Sequence, residues 1–246
     1  MTKPEVVYFF GTCLVDLLFP RVGVCAMRLL KDQGIRVIFP RAQTCCGQPA
    51  WNSGYRAEAR AVARLQLDAL GKEIPVVVPS ASCAGMLRVH YPTLFDGTPD
   101  EARAKSLASR VYELTELLVE VIDLRPTDLG PPFTVALHNS CSARRELGVA
   151  EAASSLLSRL AHVVTVEPDH AYECCGFGGT FAVKEPEISA AMAADKTAAI
   201  RATRADVLVS QDCGCLMNLG GTFQRQGKAP QVKHIAEFLW ERTRGE

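Results

Sequence analysis

The chain carries no net charge: 27 Lys and Arg balance 27 Asp and Glu, and the pI is about 6.9. Cations and acids are interleaved, so the basic stripe of a nucleic-acid-binding protein is missing. No apolar run approaches the ~20 residues of a membrane-spanning helix. There is no serine nucleophile triad and no Walker sequence, and Gly176-Phe177-Gly178-Gly179 is too irregular for a dinucleotide fingerprint. A secretory leader is not apparent either. Met1-Thr2-Lys3-Pro4-Glu5 is a poor charged region, and the apolar stretch from Val6 is cut by Gly11, Asp16 and Pro20. Val22-Gly23-Val24-Cys25 departs from a lipoprotein cleavage box, because Val24 is too large for the small residue needed before the cysteine. The expectation is a cytoplasmic protein with reduced thiols, and no nucleic acid among its partners.

What the chain does have is cysteine in a repeated pattern. Cys13 is followed after 31 residues by Cys45-Cys46-Gly47, and after 35 more by Cys83. Cys141 is followed after 32 residues by Cys174-Cys175-Gly176, and after 36 more by Cys213, with Cys215 two further on. The repeated object is a four-thiol set. The tenth cysteine, Cys25, shares an apolar helix side with Val22 and Leu29 and reads as a small buried hydrophobe. An apolar content of 48% supports real cores, and 246 residues fit one large domain or two compact ones.

Short β-rich runs alternate with helical stretches. Strands are expected at Val6 to Phe10, Ile35 to Phe39 and Ile74 to Val78, then at Phe133 to Leu137, Val163 to Val166, Val207 to Val209 and Gln231 to Lys233. Helices are expected at Arg21 to Gln33, Ser53 to Leu70, Glu101 to Asp123 (in one or two pieces), Ala150 to Leu160, Glu187 to Arg201 and Ile235 to Arg242. Asp96 to Asp100 reads as a turn. Residues 125–132, with three prolines and a glycine, read as a linker between a first repeat, 1–124, and a second, 133–246. The fold class is therefore α/β: two tandem, pseudo-symmetric βαβ-type repeats with parallel sheets, their cysteines in loops at the strand carboxyl ends, where such sheets bind ligands.

Four converging thiolates suit zinc or an iron–sulfur cluster. Structural zinc sites are usually built from two local Cys-x₂₋₄-Cys knuckles. Here the ligands come from loops more than 30 residues apart, which favours the bulkier cluster. A redox-active vicinal thiol pair would leave the distant cysteines without a role.

These residues resemble the cysteine-rich CCG-domain iron–sulfur proteins. That family includes heterodisulfide reductase B subunits and the iron–sulfur subunit of glycolate oxidase. The resemblance spans the whole chain as two tandem CCG repeats. Cys174-Cys175-Gly176-Phe177-Gly178-Gly179-Thr180-Phe181 and Gly214-Cys215-Leu216-Met217-Asn218 look most like its lactate-utilisation branch. The resemblance implies an oxidoreductase subunit, one that transfers electrons with partner subunits as L-lactate is oxidised to pyruvate. A cluster-based thiol–disulfide reductase is the rival reading, and a zinc-stabilised scaffold without redox chemistry is the third. The chain departs from the heterodisulfide type, because Cys83 is followed by Ala84-Gly85-Met86 rather than by a second cysteine. Four cysteines in the first repeat suit a four-iron cluster, with one cluster per repeat.

The candidate ligands are thus Cys13, Cys45, Cys46 and Cys83, and Cys141, Cys174, Cys175 and Cys215. Spacing favours Cys213 for the last place. Local context and the freedom of Gly214 favour Cys215, which is preferred, with Cys213 as a fifth thiol nearby. His138, three residues before Cys141, matches Phe10 in the first repeat. It either donates to a cluster sulfur or caps a strand end. Arg144 and Arg145 either offset cluster charge or are solvated. Asp212 and His170 carry no signal of their own.

Overall fold

The computed structural model describes residues 2–227 and 230–245. Among the described residues, eight strands form two four-stranded parallel sheets. The first contains β1 (Val6–Phe9), β2 (Arg36–Ile38), β3 (Val76–Val78) and β4 (Val111–Glu113), in the order β2-β1-β3-β4. The second contains β5 (Phe133–His138), β6 (Val163–Val166), β7 (Val207–Ser210) and β8 (Gln231–His234), in the order β6-β5-β7-β8. The orders match position for position, as the repeat requires. In each sheet the strand order reverses between β1 and β3 or between β5 and β7, so a crevice opens beyond the carboxyl ends of those strands.

The central strands are apolar on both faces because both faces are covered. Val7 and Phe9 point into one core and Tyr8 and Phe10 into another. In the second sheet, Val135 and Leu137 oppose Ala136 in the same way. Val7, Phe9, Val77, Val135, Leu137, Val207 and Val209 all belong to one continuous apolar cluster. The two sheets therefore turn their inner faces toward a shared core. Helix Pro20–Asp32, which follows β1, packs there on helix Ile235–Arg242, which follows β8. Reciprocally, helix Ala150–Ser158, after β5, packs on the helical segment 114–121, after β4. That exchange is the mark of a two-fold relation between the halves.

Two expectations about elements need correction. The stretch 101–123 is not helix throughout: helix Glu101–Ala108 is followed by β4 and then by helical turns from Leu114. The register Val76↔Val111 and Val78↔Glu113 makes β4 a strand. Cys83, expected in the loop that leaves β3, lies instead inside a helical stretch, 81–94, that begins at Ala81. Residues 125–132 are anchored: the buried Asp128 carboxylate pairs with Arg242 at 2.6 Å, and Leu129 N–H donates to the Arg242 carbonyl at 2.8 Å.

Candidate metal centres

Each site is assembled from three elements of one repeat. Cys13 opens helix Cys13–Leu17, just past β1. Cys45 and Cys46 lie in the turn before helix Gln48–Asn52, and Cys83 is the third residue of helix Ala81–Gly85, just past β3. In the second repeat Cys141 precedes the wide helical turn Ser142–Leu147, and Cys174 and Cys175 lie in the turn before Gly176. Cys213 and Cys215 are the first and third residues of helix Cys213–Gln226. Apart from that of Cys213, these thiols fall at the two switch-point crevices.

The sulfurs converge. Cys13 Sγ lies 3.9 Å from Cys45 Sγ, and Cys46 Sγ lies 3.4 Å from Cys83 Sγ. Cys175 Sγ is 3.0 Å from Cys215 Sγ, and Cys141 and Cys174 lie near enough to shift each other's titration. All ten cysteines are free of disulfides. The thiols of Cys13 and Cys46 and the Gly47 N–H, at 3.4 Å, hold Cys45 down to about 3. Cys141, Cys175 and the Gly176 N–H hold Cys174 down to about 2. The Cys13, Cys46, Cys141 and Cys175 thiols are pushed up, first by sharing protons with these partners and then by burial. Each Cys-Cys-Gly turn thus presents one thiolate ringed by donors.

Gly47 and Gly176 make the turns. Their φ angles are 88° and 82°, in the region that side chains avoid. There is no room for a side chain either. A Cβ on Gly176 would lie 2.7 Å from the Ser189 carbonyl, and one on Gly47 would lie 3.3 Å from that of Ala59.

Cys213 and Cys215 point to different places. Cys215 joins Cys175 in the outer core of the second sheet, whereas Cys213 lies in the shared core with Cys25. Cys213 is 1% exposed, and burial pushes its thiol up. The match to the first repeat is by helix position, since Cys83 and Cys215 are each third in their helices. The spacing that pointed to Cys213 is offset by the longer helix after the second turn, Pro186–Ala202 with 17 residues against Arg56–Ala69 with 14 in the first repeat.

His138 is the last residue of β5 and is 1% exposed. One of its ring nitrogens and the sulfurs of Cys175 and Cys215 all lie within 4.8 Å of one another. Burial, then the charge of Lys196, lowers its pKa to about 3, so the ring is neutral. Arg144 is half-buried, and Arg145 is exposed and donates to the Tyr172 carbonyl at 3.5 Å.

Several residues that support the sites gave no signal in the sequence. Asp212 is 2% exposed and lies between the repeats. One oxygen accepts from its own helix at Gly214 N, 3.1 Å, and the other accepts from Ser82 N of the first repeat, 2.9 Å. A single carboxylate thereby caps both helices whose third residues are Cys83 and Cys215. Gln66 donates to the Cys45 carbonyl at 3.2 Å, and Tyr91 to that of Cys46 at 2.9 Å. Asn218 donates to the Cys175 carbonyl at 2.8 Å, and the buried Lys196 ammonium holds the carbonyls of His170 and Ala171. The hint was polarity at buried helix positions. The two sites also abut: Gln48, Ser82, Phe177 and Gly179 line both the ≈200 Å³ cavity at the first site and the ≈80 Å³ cavity at the second.

The cysteine-rich domain family, CCG, matches residues 7–88 and 135–220, one match on each repeat. The chain is 45% identical over 234 residues to "Lactate utilization protein A" of Geobacillus kaustophilus, covering 95% of this chain and 98% of that one. The chain belongs to this cysteine-rich CCG family. A second relative in it, "Lactate utilization protein A" of Oceanobacillus iheyensis, is 45% identical over 236 residues, covering 95% of this chain and 96% of its own. "Lactate utilization protein A 2" of Bacillus cereus is 41% identical over 234 residues, covering 95% and 97%. Among solved structures, a hypothetical protein from Helicobacter pylori shares the fold, with a TM-score of 0.68 at 11% identity. All of this chain matches, and it spans 50% of that one.

The donor chemistry of this CCG protein suits an iron–sulfur or other thiophilic metal group. Soft thiolates come in fours, backbone N–H groups point at sulfur, and a buried imidazole faces the second set.

Proposed function

We propose that the chain is the iron–sulfur electron-transfer subunit of a system that oxidises L-lactate, a 2-hydroxy acid, in the cytoplasm. One cluster of the four-iron type is held by Cys13, Cys45, Cys46 and Cys83, and another by Cys141, Cys174, Cys175 and Cys215. The observation that carries this reading is the convergence of distant thiols, in two matching sets, at the switch points of two sheets. The relatives named for lactate utilisation, at 41–45% identity over nearly full length, support the substrate. The position of Cys213 in the shared core supports four rather than five thiols at the second site.

When bound, such a cluster supplies one-electron transfer and takes no hydride. The Cys-Cys-Gly turns hold the ligands, Asp212 fixes the two cysteine helices against each other, and Phe177 and Gln48 form the wall between the sites. The two-electron step at lactate belongs to a cofactor on partner subunits. No helix among the described residues is long and apolar enough to cross a membrane.

The test is lactate oxidation by the purified chain with an artificial acceptor. No turnover is expected alone, and turnover is expected once the partner subunits are added. Full turnover by the isolated chain would refute the assignment. A second reading rests on His138, Cys175 and Cys215 lying within 4.8 Å of one another, a donor set that also suits tetrahedral zinc. Stoichiometric zinc without acid-labile sulfide would favour it.

A further inference from the structure

His138 has two polar atoms and, among the described residues, no partner for either. It is 1% exposed, and neither ring nitrogen makes a hydrogen bond. Leaving a buried polar atom unpaired costs about 1–3 kcal/mol. Two on one ring point to a partner that the polypeptide does not supply. The ring stands at the carboxyl end of β5, where His138 is in register with Ser210 of β7, so the backbone aims it at the crevice. There it meets Cys175 and Cys215 within 4.8 Å. The first repeat has Phe10 at this position, fully buried and without a donor.

The other donors near sulfur come in matching pairs. Gly47 N–H faces Cys45 and Gly176 N–H faces Cys174, both at 3.4 Å. These contributions are alike in the two repeats, whereas that of His138 has no counterpart. Four thiols already supply the ligands of a four-iron cluster, which leaves the imidazole as a donor.

We propose that His138 donates a ring N–H to a sulfur of the cluster held by Cys141, Cys174, Cys175 and Cys215, and so keeps the reduction potential of the second site above that of the first. The proposal rests on the iron–sulfur reading given above. A hydrogen bond to sulfur stabilises the added electron, which raises the potential. Lys196 works in the same direction. It occupies the helix position of Gln66, since each lies seven residues after the residue that its Cys-Cys-Gly glycine touches, Ser189 or Ala59. Its buried ammonium thus faces the second site where the first has a neutral amide. The two sites share a wall, so an electron entering the first has a downhill step to the second.

The test uses full-length protein reconstituted under anoxic conditions, with iron and sulfide counted and each site's midpoint read by EPR-monitored titration. His138→Phe copies the first repeat, and His138→Leu repeats the test should the larger ring fail to fit. His138→Gln restores an N–H donor. The apolar variants should stay fully loaded while the second midpoint falls by at least a tenfold change in its reduction equilibrium, about 59 mV for one electron. The first midpoint should stay put, and the Gln variant should recover part of the shift. Loaded apolar variants with both midpoints unmoved overturn the proposal. Loss of iron from the second site in all three variants also overturns it, by making His138 a ligand. If the unsubstituted chain binds no iron and sulfide, the iron–sulfur reading itself fails, and the proposal falls with it.

Discussion

Gly47 and Gly176 each combine a left-handed backbone with a neighbour's carbonyl where a side chain would go, and the second is the tighter. Gly176→Ala is expected to destabilise the protein by about 1–3 kcal/mol in urea denaturation, with Gly47→Ala nearer the lower end. Equal stability of Gly176→Ala and the parent chain would contradict the structure. The paired thiols invite a second test at this scale. Cys215→Ser should lose roughly half the bound iron under anoxic conditions, because a cluster rarely survives the loss of a ligand thiolate. Cys213→Ser should keep nearly all of it, since that sulfur lies in the shared core with Cys25. Equal, large losses would return Cys213 to the site and revive a five-thiolate cluster.

The elements that matter most are the two helices whose third residues are Cys83 and Cys215. Asp212 caps both, so Asp212→Ala leaves the buried Gly214 N–H and the half-buried Ser82 N–H unpaired. Its loss of stability should exceed the about 0.5–2 kcal/mol of a single N-cap, and metal retention should weaken at both sites. A loss confined to the second site would contradict the bridging role. At the end of β4, Glu113 caps the next helix from a fully buried position, and burial pushes its carboxyl from 4.5 up to about 7. The folded carboxyl stays protonated to about pH 7, whereas the unfolded one ionises near 4.5. Its contribution is therefore full below about pH 4.5 and is lost as the pH rises to 7. Glu113→Gln cannot ionise, so it should gain stability relative to the parent chain across that window. A constant difference from pH 4.5 to 7 would contradict this. Buried central strands such as β1, β5 and β7 were legible because they are continuous apolar runs bounded by loop residues. β4 was not, because three residues between helix formers carry no period, and only pairing with β3 makes them a strand. The thiols were legible from their repetition. Asp212 was not, because its partner Ser82 is 130 residues away.

Across the whole molecule the two repeats do not stand apart. One apolar cluster runs from Val7 and Phe9 to Val207 and Trp240, and the segment between the repeats is tied down by the buried Asp128–Arg242 pair. We expect one cooperative thermal transition, with calorimetric and van't Hoff enthalpies in agreement. Two separated transitions would show that residues 1–124 and 133–246 fold as independent units. The same arrangement sets two four-thiol sites on either side of one wall, in a chain related over nearly its whole length to lactate utilization proteins. The most direct measurement is iron and acid-labile sulfide per chain in anaerobically purified protein, with the EPR spectrum after reduction. The account predicts iron and sulfide in equal amounts, sufficient for two four-iron clusters, and signals from two distinct reduced centres. Stoichiometric zinc, or iron without sulfide and no such signals, would contradict it.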